Sequence, residues 1–119
     1  MILVDTSVWA SHLRKTEPGL VALLEEGTVL IHPFVIEELA SGNLPNRNET
    51  LNLLHALPVA PVVEHLELLA FIVSERLYNT GLGPVDIHLI GSARLFGANL
   101  WSQDKALCRE AKRLHILTY

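Results

Sequence analysis

The sequence predicts an α/β fold, a central parallel sheet of four to five strands with helices on both faces. Three observations carry that expectation. Short apolar runs alternate along the chain with longer segments of helical periodicity, the pattern of strands joined by helical crossovers. The first run, Ile2-Leu3-Val4, has no polar position, as a strand buried on both faces requires. All three aspartates, Asp5, Asp86 and Asp104, fall at strand-to-helix junctions or helix starts. In an open parallel sheet that is where a ligand site is built.

Taken in order, Thr6 or Ser7 caps a short helix bearing Val8, Trp9, Ala10 and Leu13, with Arg14 and Lys15 near its negative end. Pro18-Gly19 opens a second helix through Leu20, Val21, Leu23 and Leu24, and Gly27 stops it. Thr28–Ile31 reads as the second strand. His32-Pro33 starts a third helix through Phe34, Val35, Ile36, Leu39 and Ala40, ended by Ser41-Gly42-Asn43. After a polar loop, Asn46 or Asn48 caps a fourth helix through Leu51, Leu53, Leu54 and Leu57, which Pro58 terminates. Val59–Val63 is an edge strand at best, given its prolines. Glu64 opens the longest helical pattern, which stops at Asn79-Thr80-Gly81. Pro84 suits the first turn of a sixth helix carrying Ile87, Leu89, Ile90, Ala93 and Leu95, closed by Gly97. Ala98–Trp101 is a strand, a final helix follows Ser102-Gln103-Asp104, and Leu114–Leu117 is a last strand.

The 119 residues are expected to form one domain, 1–119, with 50% hydrophobic and 18% charged residues. No apolar run approaches a membrane span, and Asp5 interrupts any secretory core. The single cysteine, Cys108, shares an apolar helical face with Leu107 and Ala111 and reads as core. It excludes an internal disulfide and suits a reducing compartment, so a cytoplasmic location is expected. The net charge of −4 argues against unselective nucleic-acid binding, although Arg94, Lys105, Arg109, Lys112 and Arg113 crowd the last quarter. The apolar surplus suggests a face covered by a partner.

Each aspartate alone is explained by helix capping, which does not exclude a second role. The acids of the third helix are harder to explain, because no orphan N–H groups need them there. The apolar direction of Val35, Ile36, Leu39 and Ala40 lies midway between Glu37 and Glu38, so helix geometry leaves the choice between them open. If one of these joins Asp5, Asp86 and Asp104 in a crevice, the like charges demand protons or a cation. An all-oxygen set selects Mg²⁺ or Mn²⁺ over zinc, and such ions drive phosphodiester hydrolysis. Other α/β chemistries lack their parts. No G-x-G-x-x-G follows the first strand, no aspartate lies between positions 6 and 85 to serve a phospho-receiver, and Ser7 stands where a haloacid-dehalogenase-type phosphatase needs a second aspartate.

The stretches MILVDTSVW, IEELASG, GPVDIHLIGSA and LWSQDKAL, in that order, closely resemble the PIN domain, specifically the VapC-type toxins of bacterial toxin–antitoxin pairs. The resemblance covers essentially the whole chain. It implies a three-layer α/β/α sandwich and a Mg²⁺- or Mn²⁺-dependent endoribonuclease. Its metal-binding and catalytic acids would be Asp5, Glu38, Asp86 and Asp104, Glu38 being the glutamate directly before leucine in the family pattern. Thr6 would assist the site, and Ser102 stands where the family usually carries threonine. A VapB-type antitoxin, whose C-terminal segment lies in an apolar groove, and a homodimer are implied as partners. The apolar second, third and fifth helices are the expected interfaces.

Two departures from the pattern are His32, where small hydroxyl residues are commoner, and His88, two residues past Asp86. His32 reads as a structural residue capping the third helix, and His88 as a surface or partly packed one. For RNA, phosphate contacts are expected from Arg14, Lys15, Lys105, Arg109, Lys112 and Arg113; with few aromatics, base stacking is not expected to dominate. The competing function is a non-catalytic PIN-like module that binds RNA or protein. Four clustered acids favour the enzyme, since a pure binder gains nothing from them.

Overall fold

A computed structural model describes every residue, Met1–Tyr119. The central strand is β1 (Ile2–Val4), flanked by β2 (Val29–Leu30) and β3 (Asn99–Trp101) in the order β2-β1-β3. Both pairings are parallel, with Leu3 opposite Leu30 on one side and Leu100 on the other. Successive strand residues point to opposite faces, yet Ile2, Leu3 and Val4 are all buried. Both faces of the sheet are therefore covered.

The cover is seven helices: α1 (Thr6–Arg14), α2 (Pro18–Glu25), α3 (Pro33–Ala40), α4 (Arg47–His55), α5 (His65–Ser74), α6 (Pro84–Phe96) and α7 (Lys105–Arg113). Helix α1 packs on α3, α3 on α4, α5 on α6, and both α6 and α7 on β3. Leu3, Leu20, Ile31, Leu89, Ile90, Leu100 and Leu107 are among the fully buried side chains of one continuous core.

The sheet has three strands rather than four to five. Val59–Val63 contributes a single bridge, Val59 beside Ile31. There Ile31 N donates to Pro58 O at 2.9 Å, and Ala60 N donates to Ile31 O at 2.8 Å. Pro58 and Pro61 remove the N–H groups a longer ladder needs. Leu114–Leu117 forms no strand either; only Thr118 bridges, to Leu100. Its residues are spent on closing α7, where His115 takes φ +61° and Ile116 N donates to Ala111 O at 2.9 Å. Asn46, not Asn48, precedes α4, and it does so in the left-handed region without a side-chain cap. Cys108 is half-buried rather than core, its thiol on Ser102 O at 3.4 Å.

Candidate active site

The parallel strands deliver their carboxyl ends to one edge, and the acids collect there. Asp5 follows β1 directly, with its backbone N–H on Trp101 O of β3 at 2.9 Å. Its side chain is buried, 5% exposed. Oδ1 accepts from Thr6 N at 2.7 Å, and Oδ2 accepts from Ser7 Oγ at 2.8 Å and Ser102 Oγ at 2.7 Å. Each serine has one proton to give, so the 3.5 Å approach between the two hydroxyls is a contact, not a further bond. As acceptors the same hydroxyls take Gln103 N at 3.0 Å and Asp104 N at 2.9 Å. The β3–α7 turn that bears Asp104 is thereby tied to Asp5.

Thr6 makes the second tie. Its hydroxyl donates to Glu38 Oε1 at 2.6 Å, linking α1 to the middle of α3. Glu37 and Glu38 are both exposed, so burial does not separate them; the hydroxyl from α1 does. Asp86 lies in the first turn of α6 and accepts Gly83 N at 3.0 Å. Asp104 caps α7, its Oδ1 taking Ala106 N at 2.9 Å and Leu107 N at 3.1 Å. Asp5 and Asp104 are thus helix caps and crevice acids at once.

The charge on Asp86 reports how the acids sit. Its carboxyl is raised above the ordinary aspartate range, first by burial, against the Gly83 N–H that lowers it, and then by the negative charges of Asp5, Asp104 and Glu38. Asp5, Asp104 and Glu38 therefore each lie within electrostatic reach of Asp86. No three histidine, cysteine, aspartate or glutamate side chains are drawn close enough together to cage an ion. Asp86 Oδ1, Glu38 Oε2 and Asp104 Oδ2 accept no hydrogen bond from the protein, leaving a donor set of carboxylate oxygen. That set suits a hard divalent cation.

A cavity opens on each side of Glu38. One, about 440 Å³, runs along Thr6, Ala10 and Arg14 to Leu44 and Pro45. The other, about 480 Å³, is lined by Phe34, Glu37, Ser41, Pro84, Val85 and His88. Of the basic residues, Arg14, Lys15, Lys105 and Lys112 are exposed. Arg109 and Arg113 instead turn part of each guanidinium inward, onto Glu110 and the chain before α6.

His32 is fully buried and caps α3, its Nδ1 accepting Phe34 N at 2.9 Å while Nε2 has no partner. Burial, then the nearby His88, lowers its pKa to about 4. His88 packs edge-on against Phe34 with ring centres 4.6 Å apart. Ser7 is the residue of the candidate site that sequence reasoning missed. Its signal was a hydroxyl two residues past the first aspartate, close enough to bond that carboxylate and the turn behind it.

The PIN domain family model matches residues 2–113. Ribonuclease VapC32 of Mycobacterium tuberculosis, from strains CDC 1551 / Oshkosh and ATCC 25618 / H37Rv, is 50% identical over 108 residues, spanning 90% of this chain and 87% of the relative. Among solved structures, FitAB bound to an IR36 DNA fragment superposes with a TM-score of 0.67 at 16% identity, over 100% of this chain and 94% of that one. FitAcB from Neisseria gonorrhoeae gives 0.65 at 17%, over 100% and 96% of the two chains. PAE2754 from Pyrobaculum aerophilum gives 0.65 at 18%, over 92% and 83%. At such identities these structures speak for the fold alone.

Proposed function

This chain belongs to the PIN domain family and to its VapC type, and on that premise we propose that it is a Mg²⁺- or Mn²⁺-dependent endoribonuclease, the toxin of a type II toxin–antitoxin pair. The observation that carries the proposal is the convergence on Asp86 of three further acids from separate elements, Asp5 after β1, Glu38 on α3 and Asp104 before α7. A fold gains no stability from gathering like charges, so the gathering calls for a positive one.

Asp5, Glu38, Asp86 and Asp104 would hold the cation. When bound, such an ion neutralises the phosphodiester, activates a water as nucleophile and steadies the leaving oxygen. The chain's own contribution is positioning. Thr6 occupies Glu38 Oε1, so Oε2 is the oxygen presented to the crevice. Ser7 and Ser102 fix the orientation of Asp5, and Ser102 also fixes the backbone of Asp104. Asp86, its carboxyl raised first by burial and then by the acids around it, would be relieved when positive charge enters. The RNA strand would pass through the two cavities flanking Glu38, with Arg14 and Lys15 taking phosphate on the α1 side.

The VapC32 relatives support a VapB-type antitoxin as partner and a cytoplasmic setting; no helix is long and apolar enough to cross a membrane. For a homodimer, the three apolar helices differ. Helices α2 and α3 turn their large apolar residues inward, whereas α5 presents Leu66, Leu69 and Val73, 68%, 46% and 70% exposed. Helix α5 is the dimer face we favour. The enzymatic assignment is tested with Asp5→Asn, assaying growth arrest on expression and RNA cleavage in Mg²⁺ or Mn²⁺. Loss of both is expected; a variant that keeps both would overturn the assignment.

A further inference from the structure

The connection from α5 to α6 is strongly contorted. Within six positions it places Arg76, Asn79 and Gly81 at φ +54°, +57° and +85°. Asn79 tolerates the left-handed region, but for Arg76 it is unfavourable, so the surrounding structure must hold Arg76 there. Leu77, 1% exposed, plugs the middle of the connection into the core. Its two ends are held from α7.

Glu110 of α7 is 6% exposed, and besides Asp5 it is the one buried acid. Its Oε2 accepts Arg109 Nε at 2.9 Å and its Oε1 accepts Arg113 Nε at 2.8 Å. Each arginine then reaches on with a second nitrogen. Arg109 Nη2 donates to Thr80 O and Arg113 Nη2 to Glu75 O, both at 2.7 Å. The Arg109 hydrogen bond, outweighing burial and joined by Arg113, holds the Glu110 carboxyl below the usual range. One buried carboxylate thus fixes two forks, and the forks grip both ends of the contorted connection. Well-packed apolar residues would commonly serve stability as well as a buried ion pair does, so geometry rather than stability is the feature this arrangement secures.

The hydrogen bonds continue toward the crevice. Thr80 Oγ1 donates to Leu77 O at 3.2 Å and accepts Leu82 N at 3.4 Å, and the next N–H, that of Gly83, is held by Asp86. The first turn of α6 has little else to locate it, since Gly83 and Pro84 are exposed and core packing begins at Ile87. Helix α7, the base of the clamp, is the helix that Asp104 caps.

We propose that Glu110, Arg109 and Arg113 are positioning residues that set Asp86 against Asp104 at the separation a bound cation needs. The inference rests on the metal-site reading given above. The test is Mn²⁺ binding to the folded, RNA-free protein, followed by the electron paramagnetic resonance signal of free Mn²⁺, so phosphate contacts do not enter. Arg109→Lys keeps a cation beside Glu110 but cannot span both Glu110 and Thr80 as the guanidinium fork does. Arg109→Lys and Glu110→Gln should each weaken Mn²⁺ binding roughly tenfold, the scale of loss when a group that orients a metal ligand is removed. Amide exchange at Leu82 and Gly83 should quicken in both. Should Glu110→Gln fail to fold, Arg109→Lys still decides, because the Arg109 side chain is 59% exposed. Folded variants with unchanged Mn²⁺ affinity and only a lower thermal midpoint would overturn the clamp. Asp86→Asn serves as reference. If it too binds Mn²⁺ as the wild type does, the metal site itself is misassigned and the clamp falls with it.

Discussion

Acidification should weaken this fold through one buried imidazole. His32 takes a pKa of about 4 against an ordinary 6.5. Its neutral form is the one the fold uses, because Nδ1 must keep a lone pair to cap Phe34 N and no carboxylate lies against Nε2 to repay a charge. Between these two values the unfolded chain binds a proton that the folded chain refuses, so stability falls as pH falls. At about 1.4 kcal/mol per tenfold change in proton affinity, the loss from pH 7 to pH 4 comes to roughly 3 kcal/mol. His32→Asn keeps a capping acceptor and removes the titration. The measurement is urea unfolding of both proteins at several pH values, comparing slopes rather than absolute stabilities, since the smaller side chain has its own packing cost. Carboxylates and His88 titrate in both proteins and cancel in the difference. Equal losses of stability from pH 7 to pH 4 would refute the reasoning.

Three further outcomes are expected. Thr6→Val removes the donor to Glu38 Oε1 with little change of shape, and should raise the Mn²⁺ concentration for half-maximal RNA cleavage while thermal stability shifts by about 1 kcal/mol or less. Ser7→Ala leaves Gln103 N without its acceptor and Asp5 Oδ2 with one donor; urea titration should show a loss of about 1–3 kcal/mol. Replacing Leu66, Leu69 and Val73 together with glutamate should move the protein to the elution volume of a monomer in size-exclusion chromatography, without unfolding it, because all three are exposed.

Much of the candidate site was legible because three of its proposed acids are tied to chain punctuation. Asp5, Asp86 and Asp104 each begin a helix, and helix starts are marked locally by strand runs, Pro84 and capping chemistry. Glu38 was not legible from its own helix, because Glu37 and Glu38 flank the buried stripe equally. What distinguishes Glu38 is a hydroxyl 32 residues earlier, a partner that helical periodicity does not encode. The outer strands failed for a different reason. Val59–Val63 and Leu114–Leu117 are apolar enough for strands, but prolines and the closure of α7 claimed the backbone groups a ladder would use. Arg109 and Arg113 read as a basic patch because their neighbours are basic; that both fold back on Glu110 depends on where the α5–α6 connection passes.

The truncated flanks of the sheet also bear on solubility. An unpaired parallel strand as apolar as β3 would template pairing with another chain and so seed aggregation. Here one residue guards each side. Leu100 exchanges hydrogen bonds with Leu117 and Tyr119, both at 2.9 Å, and Ile31 does so with Pro58 and Ala60. Beyond these bridges, Pro58 and Pro61 on one flank offer an incoming strand no N–H to pair with. The same brevity that leaves the sheet three strands wide keeps its edges from recruiting a fourth from a neighbour.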